Sequence, residues 1–383
     1  MQIQLEKTLD VEVVERQLAE LWKQTTGERD SDSDTAVLRA RVANLLVFVA
    51  SDALLNDADQ MMQELTASHP SRVLIMLGDR QAADRDIEMY VASICQRDKR
   101  TGAGRLSCEE VTLKAYGNFA AELPSAALPL LIPDLSTFLW WQDALRVSDK
   151  VFDTLVRRAD RLVIDSAEFK DPSSELLETD KLFAAENCEN LGISDLNWAR
   201  LTLWRSLLAD FYDVPAYQPW LDEIDYVRID YVGPELAPVA VAPQALLIAG
   251  WLASRLEWSI QSDQSLGQKD QTIAFKLSGK KDRSITLELN RVERAERKPG
   301  RLARVELRSH RDRPASFTIA RSVNNLHLLA EAKLGPEIHR GRVLPVRNRS
   351  VAQLLSREME ILCNDDVYAE AISMAIQLLG ATK

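Results

Sequence analysis

The sequence lacks the glycines that a dinucleotide site requires. Where the first predicted strand meets its helix it reads Ala50-Ser51-Asp52, so backbone has no bare glycine with which to approach a pyrophosphate. It has no GxxxxGK[ST] phosphate cradle, no GxSxG nucleophile elbow and no HExxH pair. Cysteine is scarce. Cys95, Cys108, Cys188 and Cys363 form no CxxC and no dense framework, which excludes a disulfide scaffold and fits a reducing compartment. The four histidines, His69, His310, His327 and His339, show no spacing typical of metal ligands. Long apolar runs are missing too, since Ala126–Ile132 and Ala245–Ala253 fall well short of a membrane span. Met1–Asp10 carries Glu6 and Asp10 and no apolar signal core, so a cytoplasmic location is expected. Positive charge is in deficit, with 47 Lys and Arg against 58 Asp and Glu and a net charge of −11. A broad nucleic-acid surface is therefore not expected.

What is present is ordinary globular material. A chain of 383 residues, 46% hydrophobic and 27% charged, suggests two domains. Val14, Leu18, Leu21 and Trp22 recur at helical spacing, and the polar stretch Gly27–Asp34 reads as a loop. Val42–Ala50 is an apolar run of strand length broken only by Asn44. A helix follows with Leu54, Ala58, Met61 and Leu65 on one stripe, and Arg72–Leu77 reads as a second buried strand. This rhythm predicts a βαβ unit. Ile87–Arg97 and Ser107–Lys114 read as strands joined by the turn-rich Arg100–Arg105, and Leu128–Ile132 and Arg161–Ile164 as short strands. Helices are expected over Ser148–Arg158, Ser173–Asn190 and Asp195–Tyr212.

Beyond the proline-marked Val214–Trp220, period-two alternation takes over in Ile273, Phe275, Leu277, Ile285, Leu287, Leu289, Val305, Leu307, Phe317 and Ile319. That pattern signals antiparallel strands with one buried face. The expectation is an α/β first domain over 1–213, a mostly parallel sheet with helices on it. An α+β second domain over 214–383 would have an antiparallel sheet and two C-terminal helices.

Three segments are less ordinary. They are His69-Pro70-Ser71-Arg72-Val73, Leu128-Pro129-Leu130-Leu131-Ile132-Pro133-Asp134 running on to Trp140-Trp141, and Asp195-Leu196-Asn197-Trp198-Ala199-Arg200-Leu201-Thr202-Leu203-Trp204-Arg205. Cys108-Glu109-Glu110-Val111 lies between the first two. In this order they resemble the OpcA family of glucose-6-phosphate dehydrogenase assembly proteins, in its cyanobacterial type, over roughly the first 215 residues. Leu203 stands where many members have proline. The resemblance implies a cytoplasmic, non-catalytic protein without cofactor or metal. Its partner would be glucose-6-phosphate dehydrogenase, activated or assembled at the entry to the oxidative pentose phosphate pathway.

Residue types that dominate interfaces make Trp140, Trp141, Trp198, Arg200, Trp204 and Arg205 candidates for touching that partner. Trp198 and Trp204 read equally as core. In a strand, Trp140 and Trp141 would face opposite ways, leaving one of them exposed. Arg200 and Arg205 have a second reading as partners of Asp195 and Asp210. The basic run Arg291–Arg313 contains Arg301, Arg304 and Arg308 and reads either as a solvated hairpin face or as an electrostatic docking patch. If Arg100–Arg105 is a hairpin turn, Cys95 and Cys108 fall on facing strands as a candidate redox pair, which would make thioredoxin a second partner. The competing function class is an enzyme or binding module for sugar phosphates.

Overall fold

The computed structural model describes residues 2–5, 11–27, 37–39, 41–66, 68–97, 105–185, 190–233, 241–269, 271–293, 300–310, 314–361 and 364–381. The Gly27–Asp34 loop beyond Gly27, the Arg100–Arg105 turn before Arg105, and Arg294, Arg297, Lys298, Arg311 and Arg313 of the basic run lie outside the described residues, as do Cys188 and Cys363.

The strands are β1 (Gln2–Leu5), β2 (Val37–Arg39), β3 (Ala43–Val49), β4 (Ser71–Asp79), β5 (Arg85–Arg97), β6 (Arg105–Tyr116), β7 (Thr137–Gln142), β8 (Arg161–Ile164) and β9 (Gly192–Asp195), then β10 (Tyr226–Val232), β11 (Ser259–Lys269), β12 (Thr272–Gly279), β13 (Arg283–Val292), β14 (Leu302–Ser309), β15 (Ala315–Arg321), β16 (His327–Leu334) and β17 (Glu337–Pro345). The helices are α1 (Val11–Gly27), α2 (Asp52–Leu65), α3 (Leu123–Ala127), α4 (Lys150–Val156), α5 (Pro172–Ala184), α6 (Leu196–Arg200), α7 (Thr202–Tyr212), α8 (Gln218–Leu221), α9 (Pro243–Arg255), α10 (Val351–Glu358) and α11 (Asp366–Gly380).

Two compact units result. The first gathers residues 1–164, 185–196 and 349–364; the second gathers 165–184, 197–348 and 365–383. A single boundary at 213 would have the chain pass between domains once, whereas each unit is assembled from several segments. One consequence corrects the expected layout. Of the two last helices only α11 belongs to the second unit, while α10 packs on α2 in the first.

The first unit is built on a nine-stranded sheet of order β1-β5-β6-β4-β3-β7-β8-β9, with β2 also on β6. From β6 to β9 all neighbours run parallel, and β5 and β1 add antiparallel strands at one side. Central β3 and β4 are apolar almost throughout and buried on both faces, as parallel strands must be when helices cover the sheet. Ser51 caps α2 by accepting from Leu54 N at 3.4 Å, and Leu55, Ala58, Met62 and Leu65 form its buried stripe.

Asn44, fully buried in β3, explains why one amide interrupts an apolar run. Its Nδ2 donates to Ile132 O at 2.9 Å and its Oδ1 accepts from Ile132 N at 2.9 Å. That grip fixes the approach to β7. The expected strand at Leu128–Ile132 is instead a 3-10 turn over Leu128–Leu130. Pro129 cannot donate to a sheet ladder, and Ile132 bonds to the Asn44 side chain instead.

Arg72 is the other buried polar centre, at 2% exposure. It donates to Glu109 at 2.6 and 3.0 Å, to Leu130 O at 3.0 Å and to both oxygens of Glu15. Burial opposes its charge, but the bonds to Glu15 and Glu109 outweigh that and raise its pKa. Arg41 adds a second cation on Glu109. One guanidinium thus ties α1, β4, β6 and the turn before β7.

The second unit carries an eight-stranded sheet of order β11-β12-β13-β10-β14-β15-β16-β17. It is antiparallel except where β10 runs parallel to β13. The predicted alternation is realised. Phe275, Leu277, Ile285, Leu287, Leu289, Val305, Leu307, Phe317 and Ile319 are all buried. Helices α9 and α7 pack on the sheet, and α9 lies along α11.

Two predictions follow from this packing. A Cβ on Gly250 of α9 would sit 2.1 Å from Ala371 O and 2.9 Å from Ala375 N of α11, and backbone cannot yield as a flexible side chain can. Gly250→Ala should therefore destabilise the second unit by about 1–3 kcal/mol, measured as a shift of the denaturant midpoint at unchanged slope. In the first unit, Glu110 of β6 is buried, and burial followed by the nearby Asp59 charge pushes its pKa up to about 7. A carboxyl whose folded pKa lies above its ordinary 4.5 favours folding at low pH, and that contribution is lost as pH rises through about 7. Glu110→Gln should flatten this dependence and stabilise the protein at pH 8 by up to ~3 kcal/mol. Denaturant titrations of both proteins at pH 5 and pH 8 would check it, and an equal pH dependence in the two would refute it.

Candidate functional site

The Asp195–Arg205 segment enters the second unit from Asn197 onward and becomes its polar centre. Asn197, wholly buried, donates from Nδ2 to Ser166 Oγ at 3.0 Å and accepts from Gln244 Nε2 at 2.7 Å. Gln244 Oε1 in turn accepts from Leu302 N at 3.0 Å. Trp198 Nε1 donates to Asp365 Oδ2 at 2.8 Å, and Asp365 also caps α11 by accepting from Tyr368 N at 2.9 Å. The guanidinium carbon of Arg205 lies 3.5 Å from the centre of the Trp198 ring. Arg200 forms a bidentate pair with Asp165, at 2.6 and 2.7 Å. Asp165, which directly follows β8, is thus a carboxylate on Arg200, and Asp210 stands 3.8 Å from Arg342.

The tryptophans are core. Trp198 is 4% and Trp204 2% exposed. Trp140 and Trp141, at 2% and 3%, correct the expectation that one of the pair is exposed. They do occupy opposite faces of β7, but β7 lies between β3 and β8 in a sheet covered on both sides. Trp141 stacks on Phe48 with centroids 4.2 Å apart and meets Phe152 edge-on at 5.0 Å. In this fold none of the four indoles has surface for a partner.

The candidate redox pair is likewise out of register. Cys108 stands opposite Ile94, and Cys95 opposite Ser107. The two cysteines are thus offset by one residue in the ladder and not directly opposed. Cys108 is buried, with Sγ 3.7 Å from Thr66 O.

The basic run divides. Arg304 and Arg308 lie on the face of the second sheet turned away from the buried apolar residues, and Arg301 precedes β14 elsewhere. Across that outer face the register lines up three rows. One is Thr272, Asn290, Asp230, Arg304, Ala320, Leu329 and Val343; the next is Ala274, Glu288, Arg228, Glu306, Thr318 and Glu331; the third is Lys276, Thr286, Tyr226, Arg308, Ser316 and Lys333. Several of its charged groups are paired. Glu306 accepts from Arg308 at 2.8 Å and from Arg304 at 3.1 Å, Arg228 binds Asp230 at 2.8 Å, and Tyr226 donates to Glu288 at 2.6 Å. Arg304 and Arg308 remain more than a third exposed. At the end of this face Leu329 and Val343 oppose one another at 42% and 63% exposure. Sequence reasoning missed Leu329 and Val343. Glu306 alternates with Val305 and Leu307, so its outward direction was readable, whereas the edge position of β16 and β17 was not.

Among the described residues no group of three metal-type ligands gathers, and no helix is long and apolar enough to cross a membrane.

Comparison with known proteins fits these motifs. A family model described as the glucose-6-phosphate dehydrogenase subunit N-terminal domain matches residues 62–181, and the corresponding C-terminal domain model matches residues 191–372. A Nostoc punctiforme protein provisionally named OxPP cycle protein OpcA is 33% identical over 205 residues, which is 54% of this chain and 42% of that protein. A Synechocystis protein of the same name is 26% identical over 318 residues, 82% of this chain and 65% of its own length. The chain thus spans less than two thirds of either relative. Among solved structures, KijD10, a 3-ketoreductase from Actinomadura kijaniata, aligns over 88% of this chain and 96% of its own, with 11% identity and a TM-score of 0.49. That likeness is too slight to bear on activity. The two domain models follow one another along most of the sequence and agree with the named relatives, so the chain belongs to the OpcA family of glucose-6-phosphate dehydrogenase assembly proteins.

Proposed function

We propose that this chain is a non-catalytic assembly factor and activator that binds glucose-6-phosphate dehydrogenase through the outer face of its eight-stranded sheet. Family membership supports the choice of partner. The observation that carries the choice of face is its composition. Arginine and tyrosine, paired and half-exposed, lie beside the uncovered apolar pair Leu329 and Val343. Interfaces combine these residue types, with apolar anchors and arginines supplying most of the affinity.

The non-catalytic part of the reading rests on what the strand–helix junctions present. Where β3 meets α2, Ser51 closes the helix end with its own side chain. The buried carboxyl Glu110 lies beneath α2 in the core, with 8% exposure. On the outer face Glu306 is held by Arg304 and Arg308, Asp230 by Arg228, and Glu288 by Tyr226. Activation would work through contact, by favouring one quaternary or conformational state of the dehydrogenase over another.

The test mixes the purified chain with the dehydrogenase and follows two signals, co-elution on sizing and NADP reduction against substrate concentration. The expected outcome is a complex with a lower apparent KM or a higher rate. Leu329→Asp and Val343→Asp, both at exposed positions, should weaken association by about tenfold or more each. No co-elution and unchanged kinetics with the unmodified chain would sink the whole reading; full association by both variants would sink only the choice of face.

A further inference from the structure

The eight-stranded sheet ends at β17, which pairs with β16 alone among the described residues. Along its other edge Gly341, Val343 and Pro345 are exposed, and a Cβ built on Gly341 would meet nothing within 4 Å. The ladder shows which backbone groups lie on that edge. Val346 N donates to Leu326 O at 2.7 Å, and the register continues with Leu344 opposite Leu328 and Arg342 opposite Ala330. Bonded and unbonded residues alternate in an antiparallel pair, so Leu344 and Arg342 are tied to β16. Gly341 and Val343 point the other way, each presenting an N–H and a C=O to solvent. Pro345 adds a carbonyl but no N–H, which closes the open stretch.

Such an edge is a template for another strand, and the side chains beside it narrow what that strand is. On the buried side of the sheet, Ala330, Ala332 and Arg342 line a small apolar pocket together with Leu207, Phe211 and Tyr217. The Arg342 side chain is 52% exposed and 3.8 Å from Asp210, too far for a hydrogen bond. Residues 338–348 hold three arginines and no carboxylate, in a chain of net charge −11. A second copy of the chain fits this edge poorly. Antiparallel pairing of two copies through Gly341 and Val343 sets Arg342 against Arg342 or Arg340, or sets Gly341 against Pro345, which cannot donate. The edge suits a strand of opposite charge from a different protein.

We propose that β17 accepts an extended acidic segment of the dehydrogenase as an added strand of this sheet. The inference rests on the reading of the outer face as the docking surface, to which Val343 also belongs. Main-chain bonds to Gly341 and Val343 supply affinity, and alternate side chains supply specificity. On the pocket's side of the sheet, the added strand presents one aliphatic side chain to the pocket and one carboxylate to Arg342.

The experiment compares the unmodified chain with Gly341→Pro and Arg342→Glu in calorimetric titrations against the purified dehydrogenase. Gly341→Pro removes an outward N–H and leaves the bonds to β16 in place. It should weaken association by about tenfold or more, and Arg342→Glu should do so by a similar factor. Circular dichroism and the thermal midpoint confirm that each variant is folded. Hydrogen exchange resolved to single amides reads the same contact without any substitution. Gly341 and Val343 should exchange about tenfold or more slowly in the complex than in the free chain, with Arg342 and Leu344, already bonded to β16, as the reference. Unchanged exchange at Gly341 and Val343 in the complex, or full affinity in both variants, would overturn the strand addition and leave the docking face standing. No complex with the unmodified chain would overturn both.

Discussion

The first unit depends on burying one guanidinium without leaving it unpaired. An isolated buried cation would be too costly for the fold to bear, and a cation with two carboxylates and a carbonyl is not. Arg72 therefore demands Glu15 from α1, Glu109 from β6 and Leu130 O from the turn before β7 all at once. Removing any one leaves charge exposed to an apolar interior. The His69–Val73 segment, the Cys108–Val111 strand and the Leu128–Leu130 turn carry the resemblance to the family, and here residues of all three neighbourhoods meet in one contact.

The second unit solves a similar problem with neutral groups. The Leu302–Gln244–Asn197–Ser166 relay is buried and satisfied at each link, so it aligns helices and sheet without the desolvation penalty of ions. Charges are kept at its margins. There they are paired, as Arg200 is with Asp165, or as Glu306 is with Arg304 and Arg308 on the sheet face.

Legibility in the sequence followed the length and regularity of each signal. β3, β4 and β8 were readable to within two residues, because apolar runs bounded by Ser-Asp, Gly or charged residues leave little choice. The alternation of β12 to β15 was equally plain. The strand β9 was not, being four residues long and running into α6. Trp140 and Trp141 show where a local rule ends. The parity argument put them on opposite faces correctly, but whether a face is covered depends on which strands flank β7, and strand order is not a local property. The same reason hid the relay from Ser166 through Asn197 and Gln244. Asp165 and Gln244 belong to segments far apart in sequence, and only a polar residue in the otherwise apolar start of α9 hinted that Gln244 had a task.

The interleaving of the two units also sets an order of assembly. Residues 349–364 complete the first unit and 365–381 complete the second, while β10 must wait for β13 and β14, some sixty to eighty positions later, before either of its edges is paired. Chains generally fold domain by domain as they emerge from the ribosome. Here the first unit has all its parts only once α10 has been made, and the second only once α11 has. For some sixty to eighty residues of its synthesis the nascent chain carries an open central strand, with the slow kinetics that long-range pairing imposes.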